Sequence, residues 1–256
     1  MSLPTLVITG APGWTADLQS QLRNRYATAV YDQRSSGYVA RLADDHAVLI
    51  LVDGSSSDWR FWTTTPKTSP ATRRIPILFI ADDPEQRRLA LTSGADLALT
   101  PADLLSQIEQ LVADYARIPD PKQMEQLDCD CQQALPPLAV QGIEKFNAGE
   151  YYKQHDLFEE QWMHTAGPVR DLYRAILQVG IAYYQITRGN HRGALKMLLR
   201  SIQWLTILPD VCQGVDVKQL RDDSYRVRAE LERINPADIA AFDRSLLKPV
   251  KRINRD

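Results

Sequence analysis

His155, Glu159 and Trp162 fall at i, i+4 and i+7 of a segment with helical period, so an imidazole, a carboxylate and an indole share one helix face. A His–Glu pair of this kind supplies two ligands to a metal ion, and helical bundles complete such sites with a second pair from another helix. The other imidazoles in reach are His164 and His191, and no second Glu-x-x-His or His-Glu-x-x-His pattern follows. A metal at His155 and Glu159 is therefore the lesser reading. A hydrolytic role, with Glu159 polarising His155 as an acid–base group, is another. The reading the residues favour is a partly buried His–Glu hydrogen bond that braces two helices, since a buried carboxylate without a partner is strongly destabilising. Gln178, polar within the apolar stripe of a later helix, would complete such a network. The candidate functional pocket is thus His155, Glu159, Trp162, Gln178, Tyr183 and Asn190, with no catalytic residue assigned and no cofactor implied.

Three further groups of residues invite chemistry. Asp53 closes the apolar run Val48–Val52, where a strand-end aspartate either accepts a phosphoryl group or caps the next turn. Gly10-Ala11-Pro12-Gly13 lacks the Gly-Lys-Ser/Thr of a phosphate loop and reads as a tight turn. Arg188, Arg192, Lys196 and Arg200 recur every four residues, so a basic helix over 188–200 would present one cationic face. That face suits a nucleic-acid backbone, against the plainer reading of a solvated surface.

The elements that must position these residues divide into three stretches. Residues 1–118 alternate short apolar runs (Leu6–Ile8, Thr28–Tyr31, Val48–Val52, Ile75–Ile80, Asp96–Leu99) with helical segments, which predicts a flavodoxin-like, doubly wound, parallel five-stranded sheet. Residues 119–135 hold prolines and acidic residues and read as a linker. Residues 136–256 have helical period throughout and predict an all-α bundle of helical hairpins, with Leu172, Ile176, Val179, Gly180 and Tyr183 as the buried stripe of its longest helix. Gly149 and Gly189, forty residues apart, each end a helix, and Asn190 is placed to cap the next. The stretch Pro236–Leu246 reads as one more helix.

Two resemblances follow from these residues. The order of elements, Asp53 at its strand end, Ile75–Ile80 and Ser93-Gly94-Ala95-Asp96 resemble the receiver domain of bacterial response regulators over most of residues 1–115. That resemblance implies a phosphoacceptor role for Asp53, supported by an acidic pair after the first strand, a hydroxyl after the fourth and a lysine after the fifth. Here Thr9-Gly10, Ala81 and Thr100-Pro101 occupy those places, so Asp53 is a degenerate phosphoacceptor position without Mg²⁺ ligands or countercharge. Phe146-Asn147-x-Gly149-Glu150-Tyr151, His155-x-x-x-Glu159-x-x-Trp162 and Gly189-Asn190-x-x-Gly193-Ala194 resemble the small helical family DUF309, a domain of unknown function, over about 138–208. A compact helical fold is what that resemblance implies. Asp156 departs from it, standing where a glutamate is expected.

A net charge of −2 gives no electrostatic footprint for general nucleic-acid or membrane-surface binding. The tail Lys248, Lys251, Arg252 and Arg255 carries much of the basic excess of the second half and reads as a solvated segment. Neither a leader pattern nor an apolar run of spanning length is seen, so a cytoplasmic location and no membrane partner are expected. Cys129, Cys131 and Cys212 are odd in number, which reads as three free thiols. The expectation for the whole is a non-enzymatic signalling or scaffold protein that acts through a protein partner or a second copy of itself. A metal-dependent hydrolase centred on His155 and Glu159 is the first alternative, and a nucleic-acid-binding regulator using 188–200 is the second.

Overall fold

Apolar runs with no polar interruption can be satisfied only by strands covered on both faces. β1 (Thr5–Thr9), the partly exposed edge strand β2 (Ala27–Tyr31), β3 (Ala47–Asp53), β4 (Ile77–Ile80) and β5 (Leu97–Leu99) form one parallel sheet in the order β2-β1-β3-β4-β5. This is the flavodoxin-like order of a doubly wound sheet. The computed structural model describes residues 3–253, and the chain divides into two compact units, Met1–Ile118 and Pro119–Asp256, each taken here by itself.

In the first unit the two-residue period sorts the strand side chains. Leu6, Ile8, Leu49, Leu51, Leu78 and Ile80 pack with Leu18 and Leu22 of helix α1 (Thr15–Leu22). Val7, Ile50, Val52, Ile77 and Phe79 pack on the opposite face. There they meet helices α2 (Tyr38–Asp44), α3 (Trp59–Thr68) and α4 (Pro84–Thr92), while α5 (Pro101–Tyr115) returns to the first face. Helix α3 runs through Pro66, so the expected Pro- and Thr-rich loop is in part the helix's last turn. Proline removes the N–H that would bond the carbonyl four residues earlier. The Tyr38 hydroxyl donates to that Trp62 carbonyl instead, at 3.3 Å.

The second unit holds helices α6 (Pro121–Cys131), α7 (Pro137–Asn147), α8 (Tyr151–His164), α9 (Arg170–Thr187), α10 (His191–Leu205) and α11 (Val217–Arg233). A short antiparallel pair, β6 (Val211–Cys212) and β7 (Val215–Asp216), precedes α11. The α7–α8 and α9–α10 turns close alike. Gly149 and Gly189 take φ of +75° and +74°, and the following N–H reaches back five residues, Glu150 to Lys145 and Asn190 to Gln185. Two orphan carbonyls at each helix end are thereby satisfied. Helix α9 lies at the centre, with ten buried positions, and packs on both α8 and α10. Its Gly180 admits Gln154 of α8, whose amide nitrogen would lie 2.3 Å from a Cβ at that position.

Four expectations are corrected. The stretch 119–135 is not a linker: it contains α6, whose Leu127 and Cys131 are buried in the helical core. Pro121 and Pro137 sit at the first helical turn, where a missing N–H costs nothing, so these prolines start helices rather than interrupt structure. The three thiols are not all free, because Cys131 and Cys212 form a disulfide while Cys129 is exposed and unbonded. Residues 236–246 form two 3-10 turns, Pro236–Ala241 and Arg244–Leu246, in place of a helix. The basic tail is held by its backbone: Val250 exchanges two hydrogen bonds with the Asn147 side chain, and Asp216 and Ile253 bond Lys251 and Gly214. Arg255 lies outside the described residues.

The disulfide closes a loop of 81 residues between α6 and β6, a span at which a cross-link removes much unfolded-chain entropy. Alkylation of the unfolded, unreduced chain is expected to label one cysteine, rising to three after reduction. Cys212→Ser should lower unfolding free energy by about 2–5 kcal/mol, read from denaturant titration; an unchanged midpoint would show that the cross-link contributes nothing.

Candidate functional site

A groove of about 380 Å³ runs over α9 between α8 and α10. One wall is Tyr152, His155, Glu159 and Trp162 of α8, and the other is Met197 and Arg200 of α10. The floor is Arg174, Leu177, Gln178, Ile181, Tyr184 and Gln185 of α9. Of the six candidate pocket residues, four meet here: His155, Glu159, Trp162 and Gln178. Tyr183 does not. It is fully buried behind the floor with its ring 5.4 Å from that of Phe146 and 5.5 Å from that of Tyr151, and burial pushes its phenol well above the usual range. Asn190 lies outside the groove. Its Oδ1 caps α10 by accepting the Gly193 N–H at 2.9 Å, while its amide donates to Gln185 at 2.7 Å.

The expected His155–Glu159 brace is not formed. His155, whose side chain is 30% exposed, places Nδ1 3.1 Å from Asp156 Oδ1 and stacks on Tyr152 with the rings 15° apart. Glu159 is exposed and keeps its hydration, so there is no desolvation penalty for a pair to offset. The residue that departs from the DUF309 pattern, Asp156, is thus the one that meets the imidazole. The histidine that braces helices is His191: buried at the start of α10, it donates Nε2–H to the Leu231 carbonyl of α11 at 2.6 Å.

Trp162 shapes the far end of the groove. The Arg170 and Arg174 guanidinium carbons lie 4.7 and 4.9 Å from its ring centre, and Arg174 also stands 4.4 Å over Trp204. Cation–π contacts of this kind fix a flexible arginine in place. Gln178 is only 5% exposed, and its Oε1 has no hydrogen-bond partner; the indole nitrogen of Trp162 is likewise buried and unmatched. Arg174, Gln178, Ile181 and Gln185 recur at i, i+4, i+7 and i+11, a second stripe beside the apolar one, and that spacing is the signal by which the floor could have been found. Helix α10 begins at His191, so the basic face holds Arg192, Lys196 and Arg200, while Arg188 caps the end of α9. Among the described residues no group of three His, Cys, Asp or Glu side chains is placed to hold a metal ion.

In the first unit Asp53 is 5% exposed, and its carboxylate is occupied by its own loop. Oδ1 accepts the Ser55 N–H at 2.9 Å, and the Ser55 hydroxyl lies 2.8 and 2.9 Å from the two oxygens. Gly10, at φ +83°, passes so close that a Cβ there would sit 2.9 Å from Asp53 Oδ2. Thr100 caps α5 through the Asp103 N–H at 3.1 Å. The geometry is that of a strand-end turn.

The fold and site together define a helical-hairpin unit with an open, aromatic and cation-bearing groove. Comparison with known proteins finds a DUF309 domain, described as a domain of unknown function, at residues 139–197, which covers most of α7, all of α8 and α9 and the first half of α10. A protein of Aquifex aeolicus (strain VF5) named only as uncharacterized is 22% identical over 95 residues, 37% of this chain. The chain spans 28% of that relative's length. No helix among the described residues is long and apolar enough to cross a membrane.

Because His155 and Glu159 stand apart, their energies are expected to add. A double-mutant cycle of His155→Ala and Glu159→Ala should give a coupling below about 0.5 kcal/mol, measured by denaturant unfolding; a coupling above 1 kcal/mol would restore the brace.

Proposed function

We propose that this chain is a non-enzymatic signalling or scaffold protein: a receiver-like unit that has lost its phosphate chemistry, carried with a helical unit that acts by binding. The observation that carries this reading is the groove itself, which has the volume of a small-ligand site and offers binding surfaces without an activated acid–base pair. Sheet order and the place of Asp53 at the end of β3 support the receiver-like part. The loss of phosphate chemistry is supported by the Ser55 turn, which takes up both Asp53 oxygens, and by Ala81 and the cap-forming Thr100 where a receiver needs its hydroxyl and lysine. The metal-hydrolase alternative is one protein donor short of the three that a catalytic zinc keeps beside its water, since among the described residues His155 and Glu159 gain no third His, Cys, Asp or Glu partner.

Incubation with acetyl phosphate and Mg²⁺ is expected to leave the intact mass unchanged. A phosphoryl adduct that is lost in Asp53→Ala would overturn the receiver half of the proposal. Asp53→Ala should itself lower stability by about 1 kcal/mol through loss of the turn.

A further inference from the structure

A second cleft, of about 370 Å³, lies in the helical unit apart from the groove, between α6 and the start of α9. Met124 and Leu127 of α6, Pro168, and Ile207 just past α10 give it an apolar wall. Arg170 and Asp171, in the first turn of α9, are its charged groups. The two charges are not equivalent. Asp171 has Arg174 3.7 Å away, whereas Arg170 has no carboxylate within ion-pair distance among the described residues. Its guanidinium carbon stands 4.7 Å from the centre of the Trp162 ring, which fixes the side chain without neutralising it.

We propose that this cleft binds an aliphatic monocarboxylate, with the carboxylate on Arg170 and the start of α9 and the chain along Met124, Leu127 and Ile207. The site is separate from the groove, so the proposal goes beyond the role given above and does not depend on it. Three features converge on that ligand. The first is the unpaired guanidinium of a half-buried arginine: a cation drawn partly out of water without a counter-charge is destabilising, and a carboxylate offsets this with two parallel hydrogen bonds. Its Nε is enclosed and lacks an acceptor, as several polar atoms of this unit do. What sets Arg170 apart is that the atom belongs to an uncompensated charge. The second feature is the helix start, which no side chain caps. The Asp171 and Leu172 N–H groups turn back to the Pro168 and Val169 carbonyls at 3.1 and 2.9 Å, which leaves those of Val169 and Arg170 open. The helix dipole favours an anion there. The third is the wall. Among the described residues its lining includes no aromatic ring, and the unbranched Met124 adapts to a flexible chain better than to a planar ligand. Asp171 disfavours a second negative charge, so a monocarboxylate fits where a diacid does not.

Titration calorimetry on the full chain with octanoate, acetate, suberate and octylamine tests this directly. Octanoate is expected to bind as a single molecule per chain. Acetate, which lacks the chain, should bind at least about tenfold more weakly. The same loss is expected for octylamine, whose charge is reversed, and for suberate, whose second carboxylate falls on the apolar wall. Arg170→Gln should weaken octanoate by about tenfold. Met124→Ala removes apolar surface from this cleft and from no part of the groove, and should weaken octanoate by about fivefold. Thermal melts confirm that both variants are folded. Absence of octanoate binding at millimolar concentration, or octylamine binding as tightly as octanoate, would remove the carboxylate site. Octanoate binding indifferent to either substitution would place the ligand elsewhere and overturn the proposal.

Discussion

Helix α9 has to do two incompatible things, and the helical unit is built around that constraint. Ten of its eighteen residues are buried, which ties α8 to one flank and α10 to the other. A helix enclosed on that scale would leave no surface for binding if its neighbours met above it. They do not meet. Tyr152, His155, Glu159 and Trp162 on α8 stand opposite Met197 and Arg200 on α10, and the second stripe of α9 lies open between them. Close approach of the backbones makes this possible below the groove, where Gly180 of α9 receives Gln154 of α8, and at the α7–α8 crossing Gly142 likewise receives the ring of Phe158. Small residues at the crossing points bring helices together underneath while bulky aromatic and arginine side chains hold the rims apart.

The polar groups of this unit then divide by burial. Those with partners are structural: His191 to Leu231, Tyr173 to Gln213 at 2.7 Å, and Asn147 to Val250. Burial pushes the Tyr173 phenol up to about 12, so it stays protonated and donates across the whole neutral range. Gln213 also bonds the α6 end near the Cys131–Cys212 bridge, so the cross-link and the hydrogen bonds hold the same junction. Those without partners are spread through the unit: Gln178 Oε1 and the Trp162 indole nitrogen belong to residues that line the groove, while Gln154 Oε1, Arg170 Nε, the Tyr183 hydroxyl and the Trp204 indole nitrogen do not. Native proteins rarely leave buried polar atoms unmatched, and the ones they do leave call for an explanation.

The first unit shows the opposite arrangement around Asp53. A strand-end carboxylate in a parallel sheet sits where ligands commonly bind, outside the carboxyl ends of the strands. In this chain Ser55 satisfies both oxygens and Gly10 closes over them, which converts an exposed site into a turn. Thr100 and Pro101, at the corresponding end of β5, start a helix. Residues that could have carried chemistry are used to terminate strands.

Local chemistry was legible in the amino-acid order. The unbroken apolar runs dictated a sheet covered on both sides, Gly149 and Gly189 dictated two alike helix ends, and Asn190 was recognisable as a cap because each of these depends on neighbours within a few residues. What depended on distant residues was not. Helix α2 lacks a side-chain cap and spans only seven residues, so nothing local announces it. The pairing of Cys131 with Cys212 joins positions 81 apart, and no spacing rule selects it over a bond to Cys129. The pair His155 and Glu159 was visible as a shared helix face, yet whether they touch depends on solvent reaching Glu159, which the facing helices decide. Tyr183 and Gln178 were both read as groove residues from one stripe. Only the packing of α7 against α8 and α9 turned the first into core and left the second at the surface of the groove, because burial is a property of the assembled neighbours rather than of the residue.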